Sequence, residues 1–184
     1  MLKAFVNKPF SEKYQPTIEP FNVVNSVEMK GVEKYLVVSL FCNTALYFAG
    51  SDNRVNKMEE IGASREDEIL SSRQRLEACD LLCFVYDTSD VNSFGYVASL
   101  RVCVTTDAVI WASDNVEEER YKIDHIPTVF VATKCELDLV TQRYEVQPDV
   151  YCRNLGLAVP LSVSVKQHQM ADLYHILTGV AMNP

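Results

Sequence analysis

Ile126-Pro127-Thr128-Val129-Phe130-Val131-Ala132-Thr133-Lys134-Cys135-Glu136-Leu137-Asp138 is the stretch whose reading decides the fold. Pro127 suits the entry to a strand, where its fixed φ is tolerated and its missing N–H costs no ladder bond. Val129 to Ala132 form a continuous apolar run, the pattern of a parallel strand covered on both faces. The run then meets Thr133, Lys134 and Glu136: a small hydroxyl, a cation and a carboxylate within four residues. In open α/β sheets, ligands bind beyond the carboxyl ends of the strands. These three residues are therefore the first candidates for a binding site.

Working outward, Leu81 to Asp87 is a second buried strand, and Asn92-Ser93-Phe94 opens a capped helix after it. On the other side, Gln147 to Leu155 predicts a helix ended by Gly156. Val159 to Val165 predicts a last strand, with Pro160 near its start, that delivers Ser164-Val165-Lys166 to the same sheet edge. Met170, Leu173, Tyr174, Leu177 and Val180 fall on one face of a closing helix. His168 and His175 are expected as solvent-facing residues of that helix. Towards the amino end, Phe21 to Met29 and Tyr35 to Val38 predict a hairpin about Lys30-Gly31.

The chain has 184 residues, enough for one domain with a sizeable core, and a net charge of −8. That balance argues against a nucleic-acid surface. No apolar run is long enough to span a bilayer, and Lys3 and Lys8 interrupt what could have been a secretory signal. The six cysteines contain no CxxC, which favours free thiols over zinc or disulfides.

Two stretches, about 38–58 and 102–120, break the pattern. Leu40 to Ala49 and Val102 to Ala112 are apolar without an evident place in the core, and are expected to pack poorly or lie exposed. Loops of that length are unusual in a compact domain. Val38-Ser39 and Val102-Cys103 are what the splice-donor sequences GTAAGT and GTATGT would encode, so both stretches are expected to be translated introns, with real lineage-specific loops as the alternative. Leu2 to Val6 reads as the tail of a helix whose start is absent, and Met1 is expected to be an internal methionine. Lys8 to Pro20 holds three prolines and is a loop.

Several motifs resemble those of Ras-like GTPases. Thr133-Lys134-Cys135-Glu136 resembles the guanine-specificity motif Asn-Lys-x-Asp, with Thr for Asn and Glu for Asp. Ser164-Val165-Lys166 resembles the Ser-Ala-Lys motif, and Tyr14-Gln15-Pro16-Thr17-Ile18-Glu19 resembles switch I. With Leu81 to Phe94 and Glu145 to Arg153, they make the chain similar to the carboxy-terminal GTPase domain of the Miro family, the mitochondrial Rho GTPases, in its fungal form.

The resemblance implies an α/β fold, a three-layer α/β/α Ras-like P-loop NTPase (G domain), present here as one partial domain over 1–184. It implies GTP or GDP with magnesium as cofactors. Thr133, Lys134, Glu136, Ser164, Val165 and Lys166 would lie at the guanine, and Thr17 at the γ-phosphate and magnesium. It also implies a place on the cytosolic face of the mitochondrial outer membrane and a role in mitochondrial morphology, transport and inheritance. Protein partners are not implied by any motif.

The sequence contains no G-x-x-x-x-G-K-[ST] loop, the element that cradles phosphates. That loop and the strand before it are expected ahead of Met1. Glu60-Ile61-Gly62 is the nearest match to switch II, and no glutamine follows it there. The 184 residues alone are therefore expected not to hydrolyse GTP. A pseudo-GTPase that serves as an interaction module is the alternative. A flavodoxin-like binding domain accounts for fewer of the motifs.

Overall fold

In a computed structural model of the chain, the residues described are 4, 8–13, 21–29, 32–40, 45–49, 57–60, 79–114, 126–137 and 144–182. Their elements in chain order are β1 (Phe21–Met29), β2 (Val32–Leu40), β3 (Ala45–Ala49), β4 (Lys57–Glu60), β5 (Cys79–Asp87), α1 (Val91–Asp114), β6 (Thr128–Thr133), α2 (Pro148–Asn154), β7 (Leu161–Ser162) and α3 (Ala171–Met182). The strands form one seven-stranded sheet in the order β1-β2-β4-β3-β5-β6-β7.

The two apolar runs are neighbours. β5 and β6 pair in parallel from Leu82 opposite Thr128 to Asp87 opposite Thr133. β7 continues the parallel set beside β6, with Ala132 opposite Ser162. Alternation along each strand explains why the runs carry no polar residue. Leu82, Phe84, Tyr86, Phe130 and Ala132 face α1 and α2, packing with Phe94, Val97, Leu100, Val104 and Cys152. Leu81, Cys83, Val85, Val129 and Val131 face the other way, against Leu173 and Leu177 of α3. This part of the molecule is a three-layer α/β/α arrangement. It is compatible with part of a Ras-like G domain.

Phe94 anchors α1, as the sequence implies. Its ring lies 5.1 Å from that of Tyr86, 5.5 Å from Tyr151 and 5.8 Å from Tyr144 in edge-on contacts. Phe84 and Phe130 stack at 5.3 Å across the strand pair. Such pairs add about 0.5–1.5 kcal/mol each to the burial of the rings. At the start of α1, Asp90 accepts a hydrogen bond from the Asn92 N–H at 2.9 Å, which satisfies one of the orphan donors of the first turn.

The hairpin is present, with β1 and β2 antiparallel and in register from Asn22 opposite Ser39 to Met29 opposite Val32. The backbone departs from the expected irregularity at both unusual stretches. Within 38–58, Ala45-Leu46-Tyr47-Phe48-Ala49 forms β3, consistent with the strand preference of its aromatic residues. β3 runs antiparallel to β5, with Ala45 opposite Phe84. Within 102–120, α1 continues to Asp114, because no glycine or proline stops it. The expected poor packing of that stretch also needs correcting at one position: Val104 is 1% exposed and belongs to the core, whereas its neighbour Val102 is 52% exposed.

Two smaller corrections concern the carboxyl end. The last strand is shorter than the predicted 159–165, because Pro160 has no N–H and a bridge from Ser164 to Gln169 turns the chain back. His168 therefore sits in that turn, with φ 56, rather than on the closing helix. Cys83, Cys103, Cys135 and Cys152 are free thiols. Burial pushes the Cys152 thiol up to about 11. Helix α2 ends as expected, with Gly156 in the left-handed region at φ 71. No helix among the described residues is long and apolar enough to cross a membrane.

Candidate functional site

The parallel register places Asp87 and Thr133 side by side at the carboxyl edge of β5 and β6. From there the chain turns. Lys134 takes φ 60, the left-handed region that non-glycine residues enter at a cost of about 1–2 kcal/mol. Hydrogen bonds hold the turn against both neighbouring strands. The Thr133 hydroxyl donates to the Tyr86 carbonyl at 2.8 Å. The Thr88 hydroxyl donates to the Thr133 carbonyl at 2.9 Å and to that of Lys134 at 3.3 Å. On the other side, the Cys135 N–H donates to the Val163 carbonyl at 3.3 Å, and the Val163 N–H to the Ala132 carbonyl at 2.8 Å.

These ties bring the two predicted segments together. The Ser164 hydroxyl, fully buried, donates a short hydrogen bond to the Glu136 carboxylate Oε2. The Gln167 N–H in turn donates to Ser164 Oγ at 3.1 Å, so the hydroxyl is fixed from both sides. Val165 is half-buried against the α3 side of the core. Lys166 is exposed and lies 3.5 Å from Glu12 in an ion pair of two solvated side chains. Such a pair contributes little. Thr17, and with it the expected magnesium contact, lies outside the described residues.

One functional group escaped the sequence reading. The Lys134 ammonium lies 2.5 Å from Asp87 Oδ2. The other carboxylate oxygen of Asp87 accepts from the Ser89 N–H at 2.9 Å and the Ser89 hydroxyl at 2.6 Å. Burial works to raise the Asp87 pKa, but the hydrogen bonds from Lys134 and Ser89 outweigh it and hold the carboxyl below its usual value. The pairing depends on strand register, which no motif in the sequence encodes. The only signal was an aspartate ending the neighbouring strand. Tyr144 closes the same end of the core. Its buried hydroxyl has no hydrogen-bond partner among the described residues, and burial, then the charges of Asp87 and Asp90, raise its pKa.

The arrangement offers an acceptor for paired N–H donors and a lysine stem on which a flat ring can rest. Glu136 Oε1 remains available, beside a hydroxyl that fixes its partner oxygen. Among the described residues, no cluster of three or more His, Cys, Asp or Glu could hold a metal ion.

A parallel α/β edge that unites Thr-Lys-x-Glu with Ser-Val-Lys is compatible with a fragment of a Ras-like G domain. No protein-family profile matches the chain. Individual relatives match it throughout. It is 40% identical over 190 residues to mitochondrial Rho GTPase 1 of Cryptococcus neoformans, covering 100% of this chain and 22% of that protein. It is 36% identical over 190 residues to the protein of the same name from Mycosarcoma maydis, covering 100% and 20%. With that of Neurospora crassa it shares 34% identity over 185 residues, covering 100% and 24%. The chain spans about a fifth to a quarter of the length of the curated relatives it matches. The chain is thus similar throughout its length to part of the mitochondrial Rho GTPases, a likeness that supports a carboxy-terminal GTPase region of that family.

Proposed function

We propose that this chain carries the guanine-recognition edge of a GTPase domain. The observation that supports it best is the contact of Ser164 with Glu136, which joins the two base-reading segments at one sheet edge. In this reading Glu136 accepts the N–H groups of the guanine edge, and Ser164 fixes the carboxylate in plane. The stem of Lys134 lies against the base, and the Val165 and Lys166 backbone meets its carbonyl oxygen. Thr133 holds the loop rather than the base, since its hydroxyl is committed to Tyr86. Thr17 would contact the γ-phosphate and magnesium. The whole protein would bind GTP and GDP with magnesium, hydrolyse GTP, and act at the mitochondrial outer membrane. The stretches 38–58 and 102–120 are read as insertions relative to the family pattern, and the sequence of the mature transcript tests that.

Titration of the 184-residue chain with fluorescent GDP tests the site. Saturable binding with a Kd below millimolar, displaced by GTP and not by ATP, is expected. Turnover of GTP above background is not expected, because no phosphate-cradling loop occurs among these residues. A Kd weaker than millimolar would favour the alternative, a pseudo-GTPase module that binds protein and no nucleotide.

A further inference from the structure

The Asp87–Lys134 pair carries one step more, which rests on the guanine-site reading. We propose that Asp87 is a positioning residue for base recognition: it holds the Lys134 side chain, before any nucleotide arrives, in the pose that the base requires.

Lysine is a poor platform by itself. Its four-carbon stem is flexible, and in this structure the Lys134 side chain is 54% exposed. Immobilising such a side chain on binding weakens affinity, and a contact that orders it beforehand recovers the loss. Asp87 is built to provide that contact. Its Oδ1 is committed to Ser89, through both the N–H and the hydroxyl. Its own N–H donates to Ser93 Oγ at 2.9 Å. The carboxylate is thus fixed by its own turn and leaves Oδ2 directed at Lys134.

The next residue holds the other end of the same lysine, since Thr88 donates to the Lys134 carbonyl. Lys134 is tied at its backbone and at its ammonium to adjacent residues of β5 and the turn that follows. What remains between the two ties is the methylene stem.

A purely structural clamp between β5 and β6 would use the same atoms, so the experiment needs a readout that separates the two roles. Asp87→Asn keeps an acceptor for Ser89 and removes the charge facing Lys134. Fluorescent-GDP affinity, thermal stability and acylation of Lys134 by an amine-reactive reagent are measured on the wild-type chain, Asp87→Asn, Asp87→Glu, Lys134→Ala and the double variant.

In Asp87→Asn the Kd is expected to rise about five- to tenfold, the usual scale for losing one preorganised side chain. Lys134 acylation without nucleotide should rise severalfold, and Asp87→Glu should restore part of both. In the Lys134→Ala background, Asp87→Asn should add nothing. If Lys134→Ala weakens binding while Asp87→Asn leaves affinity and acylation unchanged, this inference fails and the guanine site stands. Equal losses from Asp87→Asn with and without Lys134 likewise overturn it in favour of a structural clamp. If the wild-type chain binds no GDP, the guanine-site reading fails and this one with it.

Discussion

The sheet has two unlike halves. β5, β6 and β7 run parallel, are covered by helices on both faces, and end together at the candidate site. β1 to β4 are joined largely by antiparallel pairing, beginning with a hairpin of adjacent segments, and meet the parallel half through β3 against β5. The difference separates two jobs. In the parallel half, register builds the candidate site: a slip of one residue would reverse the faces of β6 and part Thr133 from Asp87. The antiparallel half supplies none of the groups placed at the site. It gives β5 a paired edge, and an uncovered edge at that position would be an aggregation hazard.

The comparison is broken most severely by emptying the core under the site. Phe130 is 1% exposed and touches Phe84, Phe94 and Tyr151. Phe130→Ala should cost about 3–5 kcal/mol. Denaturant melts should show the loss, and fluorescent-GDP binding should vanish with the fold. A mild loss of stability would mean that the parallel half does not depend on this aromatic cluster.

A smaller effect separates site from scaffold. Ser164→Ala removes the donor to Glu136 and the acceptor for Gln167 N–H in a fully buried position. Leaving those groups unmatched should cost about 1–3 kcal/mol. The guanine nucleotide Kd should rise about tenfold, since the carboxylate loses its fixed orientation. Unchanged affinity with lowered stability would reduce Ser164 to a structural role.

Gly156 tests the parallel half away from its edge. Its φ of 71 closes α2, and a Cβ added there meets nothing within 4 Å. The cost of Gly156→Ala is therefore backbone strain alone, about 1 kcal/mol. A small fall in Tm with unaltered GDP affinity is expected. A fall in affinity as well would show that the return from α2 to β7 sets the position of Ser164.

What the sequence made legible follows from the same division. The runs at 81–85 and 129–132 read as parallel strands because burial on both faces leaves them wholly apolar. Phe94 read as an anchor because it opens a helix beside such a run. The Ser-Val-Lys and Thr-Lys-x-Glu segments read as partners because strands joined by a crossover tend to be neighbours. β3 did not read as a strand, since its place beside β5 is a long-range choice that local pattern does not determine. The same holds for the extension of α1, where Val104 finds core and Val102 does not. Lys134 with Asp87 was invisible, because 47 residues of chain separate two groups that only strand register unites.

The smallest expected effect is the dependence of stability on pH at that pair. The folded-state pKa of Asp87 lies below its ordinary value. A carboxyl shifted in that direction binds its proton less readily in the folded chain than in the unfolded one. Its contribution is therefore present above the unfolded pKa of about 3.9 and lost as pH falls through the lower folded value. Lys134 is more than half exposed, so solvent screening holds the contribution below about 1 kcal/mol. Thermal melts of the wild-type chain and Asp87→Asn should differ slightly at pH 7 and converge as pH falls through the lowered folded value. Added salt should narrow the pH 7 difference, because the pair lies at the surface. A difference that does not narrow as pH falls would trace the effect of Asp87 to its hydrogen bonds with Ser89 rather than to its charge.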